Sequence, residues 1–425
     1  MLTGRVFVLR VTPDQDAALA QFSGVCRAVW NTGLAQRRMA RQDHRWVNYP
    51  QQCKELADVK TDPELAWVGD APGHVLQQTL KDLDAACRSV GTWKVHFRSK
   101  FRWSASMRFP EGKRMRVQRV SKRWGQVNLP KLGAVKFRMT RELDGSIRSA
   151  TVRRVDGHWQ ISFLVEDGVL EIAPPYSDLR PPVGVDRGVK VALGLSDGRM
   201  LDQQFTSRRE QDRVAGLQRR RARQQGPRAK PSKQQQRQDP KVRCRRQEPS
   251  QRYLRTRARI AVVHAKQRRR RDDFLTKTAR TLAREHSLIV LENLNTKGMT
   301  SRAAAKPDPD QVGHHLPNRA AAKSGLNRAI LGKGWGKFVL VLAHQARSTG
   351  AQVVVVPPAF TSQRCHQCGH TSKDNRESQA VFHCTGCGHT ANADVNAARN
   401  ILAAGHAVTG RVRPEQSGSV NHQAA

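Results

Sequence analysis

The sequence is 425 residues long and carries 75 Lys and Arg against 35 Asp and Glu, a formal net charge of +40 at pH 7. This length exceeds one ordinary hydrophobic core and predicts two or three domains. So large a positive excess indicates a partner with a dense row of phosphates, which is nucleic acid, rather than a merely solvated basic surface or a ribosomal-type scaffold. No run of 18 apolar residues and no long apolar leader occur, so the sequence predicts a cytoplasmic protein with no membrane partner.

The first 92 residues are predicted to form one strand followed by a helical segment. Residues 5–11 alternate between apolar and polar side chains, as in a strand with one buried face. Thr12 and Pro13 then have the residue types of a helix N-cap and a first helical position. Apolar residues at helical spacing continue to about residue 90. The segment 12–92 is therefore expected to be a helical, recognition-like insertion that follows the first strand of another domain.

Short alternating strands separated by turn residues dominate the next part of the sequence, from residue 93 to 173. Their spacing predicts a small antiparallel β-barrel that the first strand would complete, so that 1–11 and 93–173 form one domain. Aromatic residues here alternate with Lys and Arg, which suits stacking on nucleic-acid bases and equally suits a core with basic residues at its edge. The aromatic residues are Trp93, Phe97, Phe101, Trp103 and Phe109. A proline-rich linker is predicted at 174–182.

The third region starts at residue 183 and has the element order of an α/β domain. Strands are predicted at 183–189, 191–195, 200–205, 288–291 and 353–356, a hairpin turn at Asp197 and Gly198, helices at about 207–223, 251–286 and 335–346, and a polar loop at 296–325. A cysteine-rich insert and a final helix follow the last strand. This order is that of an RNase H-like fold, which would comprise residues 183–360 and 391–404. Residues 405–425 lack periodicity and are predicted to be a disordered tail.

Half of the net charge lies in one segment of the third region. Residues 206–280 carry 26 Lys and Arg against 6 Asp and Glu, a net charge of +20. Such a run is usually a solvated face. Its size and its place in the sequence between Asp186 and Glu292, two candidate catalytic acids described next, favour a surface that binds a nucleic-acid strand. The turn-rich middle, 224–240, is predicted to be mobile.

Three acidic residues lie at the end of a predicted strand or the start of a predicted helix, next to polar sequence. Asp186 follows apolar residues of the first strand, Glu292 ends a run of four apolar residues, and Asp394 opens the last helix on its apolar face. Each alone is usually a cap or a solvated charge. Three converging carboxylates repel one another, and a hard divalent cation is the simplest way to hold them together. The acids therefore predict an Mg²⁺ or Mn²⁺ site for two-metal phosphodiester hydrolysis. Asp197 and Asp202 are weaker candidates.

Four cysteines form the pattern C-x2-C-x15-C-x2-C between the second and third acids. They are Cys365, Cys368, Cys384 and Cys387. Their spacing is typical of a zinc ribbon, predicted here as an insert over 361–390. Four thiolates complete a tetrahedral site, so the zinc is predicted to be structural and not catalytic. The nearby histidines, expected to contact phosphate or solvent, are His366, His370, His383 and His389.

These motifs resemble those of the TnpB (OrfB) proteins of bacterial insertion sequences, the compact relatives of type V CRISPR effectors. The matching stretches are GVDRG, VLENLNTKGM, TSQRCHQCGH, the second cysteine pair and ADVNAARNIL. They cover about 181–403, whereas over 1–180 the resemblance is one of general layout.

The resemblance implies an RNA-guided DNA endonuclease with a single RuvC-like site in a prokaryotic, nucleoid-associated setting. Asp186, Glu292 and Asp394 would be its metal-binding catalytic acids. The cysteine insert would hold zinc and bind the target nucleic acid. The barrel and the helical insertion would resemble the wedge and recognition domains, which grip guide RNA and a short motif beside the target DNA.

Two positions depart from the family pattern. Arg187 follows the first acid where an apolar residue is common, and Asn392 with Ala393 precedes the third acid where the family often has a charged pair. Neither change removes a metal ligand. Local contacts between strands are therefore expected to differ while the acids are retained.

Two other functions remain compatible with the sequence. One is a strand-transferring transposase of RNase H-like fold, but the acids here follow the order Asp-Glu-Asp, whereas such transposases usually place Glu last. No His-hydrophobic-His pair with a nearby Tyr occurs either. The other is a non-catalytic zinc-ribbon protein that binds RNA or DNA, against which the intact set of acids argues.

Overall fold

The computed structural model describes residues 2–100, 103–168, 179–225, 249–309, 311, 314–378 and 380–410, and the backbone of 228–229 and 245–246. The chain divides into two compact units, Met1–Leu170 and Glu171–Ala425. Three predicted features lie wholly or partly outside the described residues: most of the linker, the middle of the basic segment, and the tail beyond residue 410. Among the described helices, none is both long and apolar enough to span a membrane.

The first unit opens with a strand and continues with helices. Its first elements are β1 (Leu2–Arg10), α1 (Pro13–Gln42), α2 (Tyr49–Val59), a 3₁₀ helix (Pro63–Asp70) and α3 (Gly73–Val90). Thr12 caps α1 as predicted: its hydroxyl accepts the Gln15 N–H, and the Gln15 side-chain oxygen accepts the Thr12 N–H. This capping box, with Pro13 in the first turn, sets the start of the helix.

An antiparallel sheet of seven strands forms the rest of the first unit. Its later strands are β2 (Ser106–Phe109), β3 (Val117–Ser121), β4 (Trp124–Leu129), β5 (Gly133–Arg138), β6 (Ser146–Val155) and β7 (His158–Glu166), and the order is β2-β6-β7-β1-β5-β4-β3. Because β1 pairs with both β7 and β5, helices α1 to α3 lie in the sequence between two parts of one sheet. No described pairing joins β2 to β3, so closure of the sheet into a barrel stays a prediction.

The aromatic and basic residues between α3 and β2 divide between core and surface. Phe109 is 1% exposed, whereas Trp93 and Phe97 are 57% and 48% exposed. The Arg38 guanidinium lies 5.6 Å from the Trp93 ring centroid and 4.8 Å from that of Phe97. Both arrangements considered for this segment therefore occur, a core aromatic residue and exposed rings beside an arginine. Phe101 lies outside the described residues.

The second unit contains eleven described strands and six described helices. The strands are β8 (Val183–Asp186), β9 (Leu193–Leu195), β10 (Met200–Leu201), β11 (Arg228–Ala229), β12 (Arg245–Arg246), β13 (Leu288–Glu292), β14 (Lys306–Pro307), β15 (His315–Leu316), β16 (Gln352–Val356), β17 (Val381–His383) and β18 (Thr390–Asn392). The helices are α4 (Arg208–Arg223), α5 (Gln251–Glu285), α6 (Thr296–Met299), α7 (Ala320–Lys333), α8 (Trp335–Arg347) and α9 (Ala393–Thr409).

Five of these strands form a central mixed sheet in the order β10-β9-β8-β13-β16. β8, β13 and β16 are parallel, while β9 and β10 extend the sheet in antiparallel fashion. The predicted hairpin turn lies between β9 and β10, with Gly198 at φ 96°. The remaining strands pair two by two as β11–β12, β14–β15 and β17–β18.

Helices cover both faces of the central sheet. On one face, Leu275 of α5 and Phe338 of α8 belong to the same core as Ile289 of β13. On the other face, Ile401 of α9 packs with Val290. Neighbouring residues of β13 thus point to opposite helical layers, and all of β13 is buried. The predicted α/β class of this region is confirmed.

Two predicted boundaries are wrong. Helix α9 continues to Thr409 instead of giving way to a tail at residue 405. Gly405 serves close packing of the helix on β13 and does not end the helix: a Cβ there would lie 2.3 Å from Val290 Cγ2. The segment 296–325, predicted as a loop, contains α6 and the start of α7, whose first residues are helix-favouring alanines.

Candidate functional site

The register of two parallel strands places the first two acids side by side. Leu291 on β13 pairs with Val185 on β8, and Glu292 and Asp186 are the next residues of the two strands. The carboxyl ends of parallel strands meet at one edge of a sheet, where ligands of α/β proteins commonly bind. Glu292 is 8% exposed and Asp186 is half-buried.

Helix α9 supplies the third acid. Its N-cap is Asn392, whose side chain accepts the N–H groups of Asp394 and Val395. The helix lies directly on β8, because Gly184 leaves room for its backbone. A Cβ at Gly184 would lie 2.0 Å from the Ala398 carbonyl oxygen. This close packing holds the first turn of α9 beside the strand that carries the first acid.

The three acids line one open pocket with a volume of about 320 Å³. Its other walls come from the loop after β8, the start of α8, the chain after β16 and the cysteine insert. The other polar side chains that line it are Arg187, Lys190, Thr361, Ser362 and Arg376. The structure thus brings together Asp186, Glu292 and Asp394, which are far apart in the sequence.

The two weaker acidic candidates lie elsewhere. Asp197 accepts hydrogen bonds from the Arg199 backbone and guanidinium within the β9–β10 hairpin. Asp202 accepts the Ala192 N–H at 3.1 Å and forms an ion pair with Lys333. Both carboxylates therefore stabilise local structure and are not part of the pocket.

The environment of the pocket raises the pKa of Asp186 and of Asp394. Burial raises the pKa of Asp186 to about 7, and the charges of Glu292 and Asp394 add to the rise. Burial also raises the pKa of Asp394, while Arg376 and Lys190 act in the opposite direction. Arg376 Nη2 lies 3.8 Å from Asp394 Oδ1. A cation between the acids would favour their ionised forms and relieve the repulsion.

The donor set fits a hard divalent cation. Carboxylate oxygens are the ligands that Mg²⁺ and Mn²⁺ prefer, and the open pocket leaves space for water and phosphate oxygens. The acids do not make a compact group on their own. Among the described residues, the four cysteines do form a compact group of possible ligands, because their sulfur atoms all lie within 4.8 Å of one another.

Two buried neighbours restrain Glu292. The Thr361 hydroxyl donates to Glu292 Oε1 at 2.5 Å, and the Arg187 guanidinium donates to the Glu292 backbone carbonyl. Arg187 is 5% exposed, and burial lowers its pKa. The arginine that departs from the family pattern thus ties the end of β8 to the end of β13.

The four cysteines meet in a compact cluster between β16 and α9. Cys365 Sγ lies 3.9 Å from Cys387 Sγ, and Cys368 Sγ lies 3.6 Å from Cys384 Sγ. A tetrahedron with metal–sulfur distances of about 2.3 Å has edges of about 3.8 Å. The cluster therefore fits a structural metal ion held by four thiolates.

The two cysteines of the second pair differ in pKa. Burial raises the pKa of Cys384, but the N–H groups of Cys387 and Gly386 outweigh burial, so that the pKa falls to about 6. The His389 N–H lowers the pKa of Cys387, but the neighbouring sulfur atoms and burial outweigh it and raise that pKa to about 12. A glycine follows each pair, and Gly369 and Gly388 have φ values of 80° and 72°. Only glycine adopts such values readily, which allows the tight turn around the sulfur atoms.

The nearby histidines have protein partners that the sequence did not indicate. His366 Nδ1 lies 3.0 Å from Asn396 Oδ1, and His366 Nε2 lies 2.9 Å from an Arg399 guanidinium nitrogen. The His366 ring also packs edge-on against His389. His370 Nε2 lies 3.2 Å from the hydroxyl oxygen of Thr385, which lies within the second cysteine pair. His366 thus joins the insert to α9, while the expectation of phosphate or solvent contacts for these histidines stays a prediction.

Sequence interpretation missed four residues around the two sites. Thr361 and Arg376 lie in irregular segments and carry no spacing signal. Asn396 and Asn400 are one turn apart on the last helix, and that spacing marks a polar stripe on an otherwise apolar element. A buried role for this stripe could have been predicted from the spacing alone.

The fold is shared with a Cas12 effector. A cryo-EM structure of a Cas12f1–sgRNA–target DNA complex matches with a TM-score of 0.52 and 13% identity, over 91% of this chain and 83% of that chain. At this identity the match concerns the fold alone. The central sheet and its covering helices thus belong to an α/β fold that this chain shares with that Cas12f1 chain.

Two family models match parts of the sequence. One, described as a Cas12f1-like TNB domain, covers residues 335–401, from α8 through the cysteine cluster into α9. The other, described as a helix-turn-helix domain, covers residues 1–45. Over residues 2–45 the structure has the strand β1 and the single long helix α1.

Full-length relatives identify the family. A protein of Escherichia coli K12, provisionally named RNA-guided DNA endonuclease InsQ, is 35% identical over 97% of this chain and 94% of its own length. A Streptomyces pristinaespiralis protein, also provisionally named an RNA-guided DNA endonuclease, is 27% identical over 98% of this chain and 93% of its length. The chain belongs to the TnpB family, which is related to the Cas12 effectors.

Proposed function

We propose that this chain is an RNA-guided, divalent-metal-dependent DNA endonuclease of the transposon-associated TnpB type, which cuts DNA paired with a bound guide RNA. The observation that carries the proposal is the pocket in which Asp186, Glu292 and Asp394 meet from distant parts of the sequence. The names of the two full-length relatives, both RNA-guided DNA endonucleases, support the same activity.

In this proposal the three acids are the metal ligands of a RuvC-like, two-metal site. These carboxylates would hold Mg²⁺ or Mn²⁺, which would supply activation of a water molecule and neutralisation of charge on the leaving 3′ oxygen. The strand register keeps Asp186 and Glu292 adjacent, and the packing of α9 on β8 keeps Asp394 with them. Arg376, 3.8 Å from Asp394, supplies a positive charge for the phosphate that is cut.

The cysteine insert is proposed to hold Zn²⁺ and to contact the target nucleic acid. Its zinc is structural, because four thiolates leave no coordination position for a substrate. The insert also carries Arg376 to the acidic pocket. Structural metal and reaction site are therefore separate but adjacent.

Exposed basic residues on α4 and α5 offer a surface for the guide–target duplex. Those on α4 are Arg208, Arg209, Arg213, Arg219, Arg220 and Arg223, and those on α5 include Arg252, Arg255, Arg257, Arg259, Lys266, Arg268 and Arg269. Such a surface binds the duplex by its shape and charge, while base pairing with the RNA selects the sequence.

The first unit is proposed to serve as the wedge and recognition regions. Its exposed Trp93 and Phe97, with Arg38 over both rings, suit stacking and backbone contacts to nucleic acid. The partners of this unit would be the guide RNA and a short motif beside the target.

The proposal is tested by sequencing the RNA that copurifies with the protein. A defined scaffold with a variable end is expected, and a duplex that matches the variable end should be cut in Mg²⁺ and left intact in EDTA. A duplex with a scrambled target is the matched control. Equal cutting of the matched duplex and the scrambled duplex would contradict the proposal. Joined ends would instead indicate a transposase, and binding without cutting a non-catalytic protein.

A further inference from the structure

A short stretch of chain, residues 361–366, connects the acidic pocket with the cysteine cluster; it is called the bridging segment below. It follows β16 and contains Cys365, the first cysteine of the cluster. Thr361 is 7% exposed, and its hydroxyl lies 2.5 Å from Glu292 Oε1 and 3.2 Å from the Pro358 carbonyl. A hydroxyl has one hydrogen to donate, and the shorter contact, to the Glu292 carboxyl oxygen, is the stronger. Thr361 thus orients the Glu292 carboxylate.

Two buried side-chain amides of α9 hold the bridging segment in place. Asn400 Nδ2 donates to the carbonyls of Thr361 and Arg364, at 3.0 and 2.6 Å. Asn396 Nδ2 donates to the Arg364 carbonyl at 2.8 Å, and Asn396 Oδ1 accepts the His366 N–H at 3.1 Å. Asn396 is 0% and Asn400 8% exposed, and amides so buried are costly unless paired. The helix that carries the third acid therefore also clamps the bridging segment.

These contacts form a continuous path between the two sites. It runs from Cys365 along the bridging segment to Thr361, and from the Thr361 hydroxyl to Glu292. Groups that orient a metal ligand without touching the metal commonly change metal affinity by about 10–100-fold when they are removed. We propose that Thr361 is a positioning residue for Glu292, and that the bridging segment makes metal binding in the acidic pocket depend on the cysteine cluster. The inference rests on the proposed function, in which Glu292 is a metal ligand.

Two substitutions of one residue separate the hydroxyl from the volume of the side chain. Thr361→Val removes the hydroxyl at nearly constant volume, and Thr361→Ser keeps it. The full-length protein with its copurified RNA is titrated with Mn²⁺, and free Mn²⁺ is followed by electron paramagnetic resonance. Thr361→Val should raise the Mn²⁺ dissociation constant and the Mg²⁺ midpoint of DNA cleavage about tenfold, while Thr361→Ser stays within about twofold of wild type. The cleavage rate at saturating metal should largely recover in Thr361→Val.

Thr390→Val is the matched control, because Thr390 lies on β18 with its hydroxyl near the exposed Gly388 carbonyl. Zinc content and RNA binding should be unchanged in all three variants. Wild-type Mn²⁺ affinity in Thr361→Val would overturn the inference. A wild-type protein that neither binds Mn²⁺ nor cuts would instead overturn the proposed function. If the wild type binds Mn²⁺ without cutting, the Mn²⁺ titrations still decide the role of Thr361.

Two further variants test the rest of the path. Asn400→Leu removes both donations to the bridging segment, and Cys384→Ala opens the cysteine cluster. Each should raise the Mn²⁺ dissociation constant in the same direction as Thr361→Val, although neither touches a carboxylate. A lower melting temperature with unchanged Mn²⁺ affinity would limit these residues to folding and would overturn the dependence of the pocket on the cluster.

Discussion

The acidic pocket and the cysteine cluster lie in the same unit, and both suit cations. They differ in how closely their ligand atoms approach one another before any ion is bound. In the cluster, the four ligand atoms lie within 4.8 Å of one another. In the pocket, burial raises the pKa of Asp186 to about 7, and the acids form no such compact group among the described residues. The sulfur atoms of the cluster already have the spacing of a metal site, whereas the carboxylates of the pocket do not.

This difference matches two uses of metal. A closed set of thiolates keeps one ion and contributes to folding. An open set of carboxylates binds hard ions that retain water and can also take phosphate oxygens. A chain that needs both a fixed ribbon and a site for chemistry can therefore separate them by ligand type. The following predictions test how complete that separation is.

Replacing the first acid should have the largest effect and should affect the pocket alone. Asp186→Ala is expected to reduce cleavage of a matched DNA duplex by about 10³-fold or more, because the site loses a metal ligand. RNA binding and zinc content should stay at wild-type levels. Asp197→Ala is the control, since it removes the same charge from the β9–β10 hairpin. Unchanged cleavage by Asp186→Ala would contradict the assignment of the pocket.

Opening the cysteine cluster should have the next largest effect. Cys384→Ala is expected to abolish bound zinc and to reduce cleavage by about 10–100-fold, because Arg376 and the bridging segment lose their anchor. Zinc is measured by mass spectrometry and cleavage on the matched duplex. Cys53→Ala, in α2 of the first unit, controls for the loss of a thiol. Full cleavage without zinc would show that the two sites are independent.

Filling the contact between β8 and α9 should weaken the framework on which the pocket rests. Gly184→Ala is expected to lower the free energy of unfolding by about 1–3 kcal/mol, because the new methyl group meets the Ala398 carbonyl. Gly216→Ala in α4 is the control, since a Cβ there meets nothing within 4 Å. That change should raise the stability by about 0.5–1 kcal/mol. Equal effects of the two substitutions, measured by denaturant unfolding, would contradict the close packing.

The last prediction is a dependence on pH that belongs to the pocket. The pKa of Asp186 rises from 3.8 to about 7 on folding, so the metal-free folded chain binds more protons than the unfolded chain between these values. The stability of the metal-free protein should therefore fall as pH rises from about 4 to about 7. Mg²⁺ competes with the proton, so its cleavage midpoint should fall up to about tenfold between about pH 6 and pH 7. Asp186→Asn should reduce this slope and leave the part that comes from Asp394, and a rising slope in the wild type would refute the assignment.

Local signals in the sequence predicted the fold best. The capping box at Thr12, the buried strand before Glu292 and the cysteine spacing are readable because their residues lie within a few positions of one another. The length of α9 was mispredicted because Gly405 resembles a helix end until its contact with β13 is known. Thr361 and Arg376 could not be predicted, since each is ordinary in its own segment and gains its role from residues far away in the sequence.

The position of α9 at the end of the described chain delays its packing on β8 during synthesis. The acids are made in the order Asp186, Glu292 and Asp394, and the basic helices α4 and α5 precede the second. At about 5–20 residues per second, roughly 10–40 s separate the first acid from the third on the ribosome. A growing chain thus presents its basic helices before its last metal ligand exists. In the proposed enzyme, the surface that holds RNA is available before the site that cuts.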